Sequence, residues 1–199
     1  FLKHPTIALL SLGRSGVLKQ SPSTNCHLTN TFLEADRIMK VYKTDTLRNI
    51  ALVSHQGSGK TTLSEGFLFN TGVTNRLGEV QQGTTVSDFE EEEIRRGLSL
   101  STALIPIEMD DLKFNFLDAP GYTDFQGEVK NALHVSDMAL ILLDASTGVQ
   151  VGTEVYWGFC DEFDLPRMIV VSKADRDTAR NPQTLIDELH DIFHTRFVD

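Results

Sequence analysis

Ser54-His55-Gln56-Gly57-Ser58-Gly59-Lys60-Thr61 follows the short apolar run Ile50-Ala51-Leu52-Val53 and precedes Leu63, Phe67 and Leu68, which recur at helical spacing. That succession is a strand, a glycine-rich loop and a helix. A triphosphate needs several backbone N–H donors converging from one side. Its loop must therefore carry little Cβ bulk and lead into a helix N-terminus, where the dipole also favours anions. Gly57 and Gly59 meet the first requirement. Lys60 adds a charge that reaches the β- and γ-phosphates, and the Thr61 hydroxyl is placed to ligate Mg2+. The candidate phosphate-binding set runs from Ser54 through His55, Gln56, Gly57, Ser58, Gly59, Lys60 and Thr61 to Thr62. Ser54 stands where a glycine or alanine is usual, and a plain strand-to-helix turn is the alternative for the loop taken alone.

Outward from the loop, apolar runs alternate with amphipathic stretches from Arg48 on, the pattern of strands and crossover helices in an α/β sheet. Residues 101–108 and 112–117 read as a hairpin around Met109-Asp110-Asp111, with Leu112, Phe114 and Phe116 alternating against Lys113 and Asn115. Ala139-Leu140-Ile141-Leu142-Leu143 and Met168-Ile169-Val170-Val171 are continuous apolar runs, as expected of central parallel strands buried on both faces. Asn181 as N-cap and Pro182 at the first helical position open a last helix with Leu185, Ile186, Leu189, Ile192 and Phe193 on one face. The acidic run Glu90-Glu91-Glu92-Glu93 reads as a solvated helix face in a mobile loop.

Two further strands end in residues that suit a nucleotide. Asp118-Ala119-Pro120-Gly121 closes the second hairpin strand, where the carboxylate would hold Mg2+ through water and the Gly121 N–H could donate to a γ-phosphate. An ordinary Pro-Gly turn is the alternative. Ser172-Lys173-Ala174-Asp175 follows the run from Met168 to Val171. Asp175 could accept from the N1–H and 2-amino group of guanine, donors that adenine lacks, while the Lys173 stem covers the ring; a capping Asp and a surface Lys are the alternative. All three elements lie at the carboxyl ends of predicted strands, where ligands bind in open α/β sheets. Together they predict binding of GTP and GDP with Mg2+.

With 199 residues, 40% of them hydrophobic, the chain can bury one ordinary core. The expected organisation is an N-terminal extension over residues 1–38, disordered or foreign to the protein, a lead-in over 39–47 and a nucleotide-binding domain over 48–199. The net charge is -10, while residues 1–38 carry an excess of Lys and Arg, so the body is acidic. Such a surface argues against direct nucleic-acid binding by this segment. Cys26 and Cys160 show no metal-ligand or disulfide-framework spacing, which favours a reducing compartment. The run Thr6-Ile7-Ala8-Leu9-Leu10 is too short to span a bilayer, so no membrane partner is expected. Residues 1–33 hold no acidic residue but several Ser and Thr, which suits a fragment with a natural start at Met39 or, alternatively, an organellar transit peptide. The expected location is accordingly the cytoplasm, or an organellar matrix in the second case.

At this point the sequence resembles the G domain of translational GTPases, most of all elongation factor G and its paralogues. The likeness rests on Arg48-Asn49-Ile50, Phe69-Asn70-Thr71-Gly72, Gly78-Glu79-Val80, Arg96-Gly97-Leu98-Ser99-Leu100, Asp118 through Phe125 and Pro166-Arg167. It implies a P-loop α/β fold, mostly parallel with helices on both faces and one antiparallel hairpin strand, incomplete at its C-terminus. It also implies a monomer acting on the ribosome through domains outside this chain, with GTP hydrolysis as its chemistry and Lys60, Gly121 and Tyr122 at the reacting centre. Ser99 stands where the family's switch threonine ligates Mg2+, beside Thr61 and Asp118. Arg95 and Arg96 read as surface charges, and His55 as a residue that shapes the loop.

Three departures from the family pattern bear on activity. Tyr122 replaces a histidine thought to position the attacking water, and a phenol never carries the positive charge that an imidazolium does. Ser172 replaces an asparagine between base and phosphate loop, and Gly57 replaces an aspartate. Slow hydrolysis and a modest loss of affinity are therefore expected. A GTP-binding regulatory or ribosome-protection switch with weak hydrolysis is the alternative; a P-loop ATPase or kinase is a third reading, against which Asp175 argues.

Overall fold

The computed structural model describes residues 9–11, 41–87 and 91–195. Its sheet has six strands in the order β1-β6-β5-β2-β4-β3. In chain order the elements are β1 (Leu9–Ser11), β2 (Leu47–Ser54), α1 (Lys60–Asn70), α2 (Glu91–Arg96), β3 (Ala103–Met109) and β4 (Leu112–Asp118). There follow α3 (Gln126–His134), β5 (Met138–Asp144), α4 (Val151–Glu162), β6 (Arg167–Ser172) and α5 (Pro182–Phe193). β2 pairs in parallel with β4 and β5, β5 with β6, and β6 with β1; β3 and β4 alone are antiparallel.

Alternation along the central strands explains the layering. Ile50 and Leu52 of β2, with Leu140 and Leu142 of β5, face one side and pack with Leu68 of α1 and Phe116 of β4. Ala51 and Val53, with Ile141 and Leu143, face the other side and pack with α3, α4 and α5 through Val129, Leu133, Tyr156, Leu185 and Leu189. Both faces being covered, the runs are apolar throughout rather than alternating. The β3–β4 hairpin turns at Asp110, whose φ of 55° places it in the left-handed region that Asp tolerates.

Asn181 caps α5 by accepting the Gln183 N–H at 2.9 Å, with Pro182 next to it. Of the apolar face read for α5, Leu185 and Leu189 are buried and Phe193 stacks on Trp157, whereas Ile192 is 40% exposed. Three residues of the segment counted as an extension, Leu9–Ser11, form β1 against β6. Pairing with a strand edge uses backbone groups and needs no side-chain pattern. The remainder of 1–38, with Cys26, and Glu90 of the acidic run lie outside the described residues.

Candidate functional site

The carboxyl ends of β2, β4, β5 and β6 lie side by side, with Leu52 opposite Asp118, Ser54 opposite Leu142 and Asp144 opposite Ser172. Above them opens a cavity of about 290 Å3 lined by Gln56, Gly57, Gly59, Lys60, Thr61 and Thr62 of the loop, together with Gly121, Tyr122, Lys173 and Ser99. Gly57 and Gly59 have φ values of 77° and 96°, which L side chains rarely adopt. No side chain caps the start of α1 at Gly59, so the helix keeps backbone donors for a ligand. Lys60 is only 8% exposed, and its Nζ donates to Ser54 Oγ at 3.1 Å. The residue in the usual glycine place thus steadies the lysine. Ser58, buried, donates to the His55 carbonyl at 2.9 Å. His55 turns toward α4, where a Cβ on Gly152 would lie 2.8 Å from its Nδ1.

Asp118, 2% exposed, accepts from Ser64 Oγ of α1 at 3.0 Å, and the Ala119 N–H donates to the Leu52 carbonyl at 3.2 Å. Buried Pro120 then carries the chain to Gly121. A Cβ there would stand 2.7 Å from Lys60 Nζ and 3.1 Å from Gln56 Cα, so only glycine permits this approach. Tyr122 reaches back to the loop, where Gln56 Nε2 donates to its hydroxyl. Tyr156 of α4, missed in the sequence, donates to the Gly121 carbonyl at 3.4 Å, and burial pushes its phenol above the usual range.

Ser172 Oγ donates to the Ser58 carbonyl at 2.6 Å, so the shortened side chain still reaches the phosphate loop. Lys173, with φ 55°, donates from Nζ to the Gly57 carbonyl at 2.6 Å and to Asp144 Oδ2 at 2.6 Å. Ala174 packs against the core, and Asp175 is exposed beside it. Asp144 is a second residue the sequence reading overlooked. Burial pushes its carboxyl up, but hydrogen bonds from Lys173 and Ser146 and the Lys173 charge outweigh that and hold it below the usual range. Its position as the last residue of β5 was the available signal. Arg176, also unread, lines the cavity.

The acidic run is not a uniformly solvated face. Glu92 does face solvent, paired with Arg95 and Arg96, whose hydrogen bonds lower its carboxyl pKa. Glu93, however, is 1% exposed and accepts the Leu100 N–H at 2.8 Å. Backbone amides of the following turn draw it inward, a tertiary effect that local charge cannot show. No group of three or more His, Cys, Asp or Glu capable of holding a metal occurs among the described residues. Thr61 and Ser99 line the cavity, and Asp118 ends the strand beside β2, so the residues read as metal ligands would offer only a few oxygens. Such a set suits a cation that keeps waters and takes phosphate oxygens.

The model of one protein family, the elongation factor Tu GTP binding domain, matches residues 45–198. The chain belongs to that family. This G domain is 38% identical over 135 residues to elongation factor G of Granulibacter bethesdensis, covering 68% of the chain and 20% of that protein. It is 35% identical over 178 residues to the mitochondrial ribosome-releasing factor 2 of Drosophila melanogaster, covering 89% of the chain and 23% of that protein. A solved structure of a Thermus thermophilus protein shares 40% identity with a TM-score of 0.71, over 74% of the chain and 22% of that protein. The chain thus spans about a fifth of the length of these curated relatives. The expected fold class, a mostly parallel α/β G domain with one antiparallel pair, is the one found.

Proposed function

We propose that this G domain binds GTP and GDP with Mg2+, hydrolyses GTP, and serves an elongation factor G-like protein acting on the ribosome in translation. The observation that carries the reading is the bridge between its two halves: Ser172 and Lys173 hydrogen-bond to the Ser58 and Gly57 carbonyls of the phosphate loop. A base bound at 172–175 would thereby stand in fixed relation to phosphates bound at 54–62. The α1 N–H groups and Lys60 receive the phosphates, the Gly121 N–H donates to the γ-phosphate, and Asp175 accepts from guanine. Thr61, Ser99 and Asp118 would hold Mg2+, which would neutralise charge developing on the phosphate oxygens. Titrating the protein with GDP and a non-hydrolysable GTP analogue, with and without Mg2+, tests this; binding indifferent to Mg2+ and to Lys60→Ala would sink it.

Hydrolysis is the slower half of the activity in this reading. Tyr122, bonded to Gln56, stands in the sequence where the family's histidine is thought to position the attacking water, and a phenol would supply orientation without a cationic charge. That contact favours, as a second reading, a GTP-dependent regulatory or ribosome-protecting switch; phosphate release with and without ribosomes separates the two. A relative described as mitochondrial supports an organellar matrix over the cytoplasm as the location, which a reporter fused to residues 1–38 would test.

A further inference from the structure

Glu93 grips the turn that carries Ser99 from both sides. Its backbone carbonyl accepts the Gly97 N–H at 2.7 Å and the Leu98 N–H at 3.2 Å. Its carboxylate accepts the Leu100 N–H at 2.8 Å and the Ser101 N–H at 3.3 Å. Ser99 lies between those two pairs, and Gly97, Leu98 and Ser99 all line the cavity. A buried carboxylate is costly unless several donors converge on it, so this one holds the turn wherever the turn's amides point. Earlier in the chain a comparable contact occurs, where Glu65 of α1, 1% exposed, accepts the Val86 N–H at 2.6 Å.

We propose that Glu93 is a positioning residue that presets Ser99 at the cavity through the turn 97–101. The inference rests on the assignment of the cavity to GTP and Mg2+, and makes Glu93 matter for the triphosphate state in which Ser99 is engaged. Without it the turn has to be ordered by the nucleotide itself, and the ordering cost appears as lost affinity. GDP, having no γ-phosphate to engage the turn, should not register the change.

The test compares the unaltered chain, Glu93→Ala and Glu93→Gln by titration with GDP and a non-hydrolysable GTP analogue in Mg2+. Glu93→Ala, which removes the carboxylate's bonds to the Leu100 and Ser101 amides, should weaken analogue binding at least about tenfold and leave GDP within about twofold. Glu93→Gln, which keeps an acceptor oxygen, should recover most of the analogue affinity. Equal effects on both nucleotides in a folded variant, or no effect on either, would overturn the proposal. Hydrogen exchange on the unaltered, nucleotide-free chain decides independently if Glu93→Ala does not fold. The Leu100 and Ser101 amides should exchange at least about a hundredfold slower than free amides, and exchange at the free rate overturns the proposal. Failure of the unaltered chain to bind either nucleotide would instead sink the assignment of the cavity, and the exchange result would still judge the role of Glu93.

Discussion

The side-chain amide of Gln56 donates to the hydroxyl of Tyr122, joining the phosphate loop to the turn after β4. The tyrosine is half-buried and is tied to the loop by this bond. Both residues line the cavity, next to the close approach of Gly121 to Lys60 on the loop proposed to receive the phosphates.

Restoring an imidazole there should speed hydrolysis. Tyr122→His is expected to raise ribosome-stimulated phosphate release by at least about tenfold, toward the lower range of general acid–base contributions. GDP affinity should change little. Unaltered turnover would show that Tyr122 does not limit the rate.

Ser172 spans to the Ser58 carbonyl with a single short hydrogen bond. Ser172→Ala should weaken GDP binding by roughly three- to tenfold, the range of one net hydrogen bond. Ser172→Asn should tighten it, because the longer amide can donate to the loop and still reach the base. Calorimetric titration reads both changes, and a weaker Ser172→Asn would argue against the bridge.

The Lys173–Asp144 pair adds a pH dependence. Asp144 has a depressed pKa in the folded protein, so its contribution is fully present above the ordinary aspartate value and is lost as pH falls through the lowered one. Nucleotide binding at neutral pH should therefore be insensitive to this group's titration. Asp144→Asn should weaken GDP binding severalfold, by about 1 kcal/mol, through a less constrained Lys173. Equal affinities of the variant and the unaltered chain would remove Asp144 from the site.

Three strand ends were legible because their chemistry is local. Gly57, Gly59 and Lys60, then Asp118 to Gly121, then Lys173 and Asp175 are each written within a few residues of an apolar run. Glu93, Asp144 and Tyr156 were not legible, the last two because each acts on a group brought near only by the fold. Asp144 meets Lys173 across 29 residues and Tyr156 meets Gly121 across 35. Glu93 was hidden differently, since an acidic run reads as a solvated face until the amides of Leu100 and Ser101 are known to point at one member. β1 was not read as a strand, although Leu9 and Leu10 end the apolar run at 6–10, because three residues are too few to show a period.

Cys160 on α4 is buried, and burial pushes its thiol up to about 11. Thiol reagents should fail to label it at pH 8 until the chain unfolds. Because its folded pKa lies above the unfolded one, the associated stability is present below the unfolded value of about 8.5 and is lost as pH rises toward the folded one. Chemical denaturation across that interval should show the decline, and rapid labelling of the folded chain would place the thiol at the surface.

Competition between guanine and adenine nucleotides tests the central claim most directly. Displacement of a fluorescent GDP analogue by GDP and by ADP, in Mg2+, should show GDP favoured by at least about a hundredfold, since adenine offers neither donor to Asp175 and leaves its carboxylate unmatched. Asp175→Ala should reduce that preference while the phosphate loop is untouched. ADP displacing the probe as effectively as GDP would contradict the account.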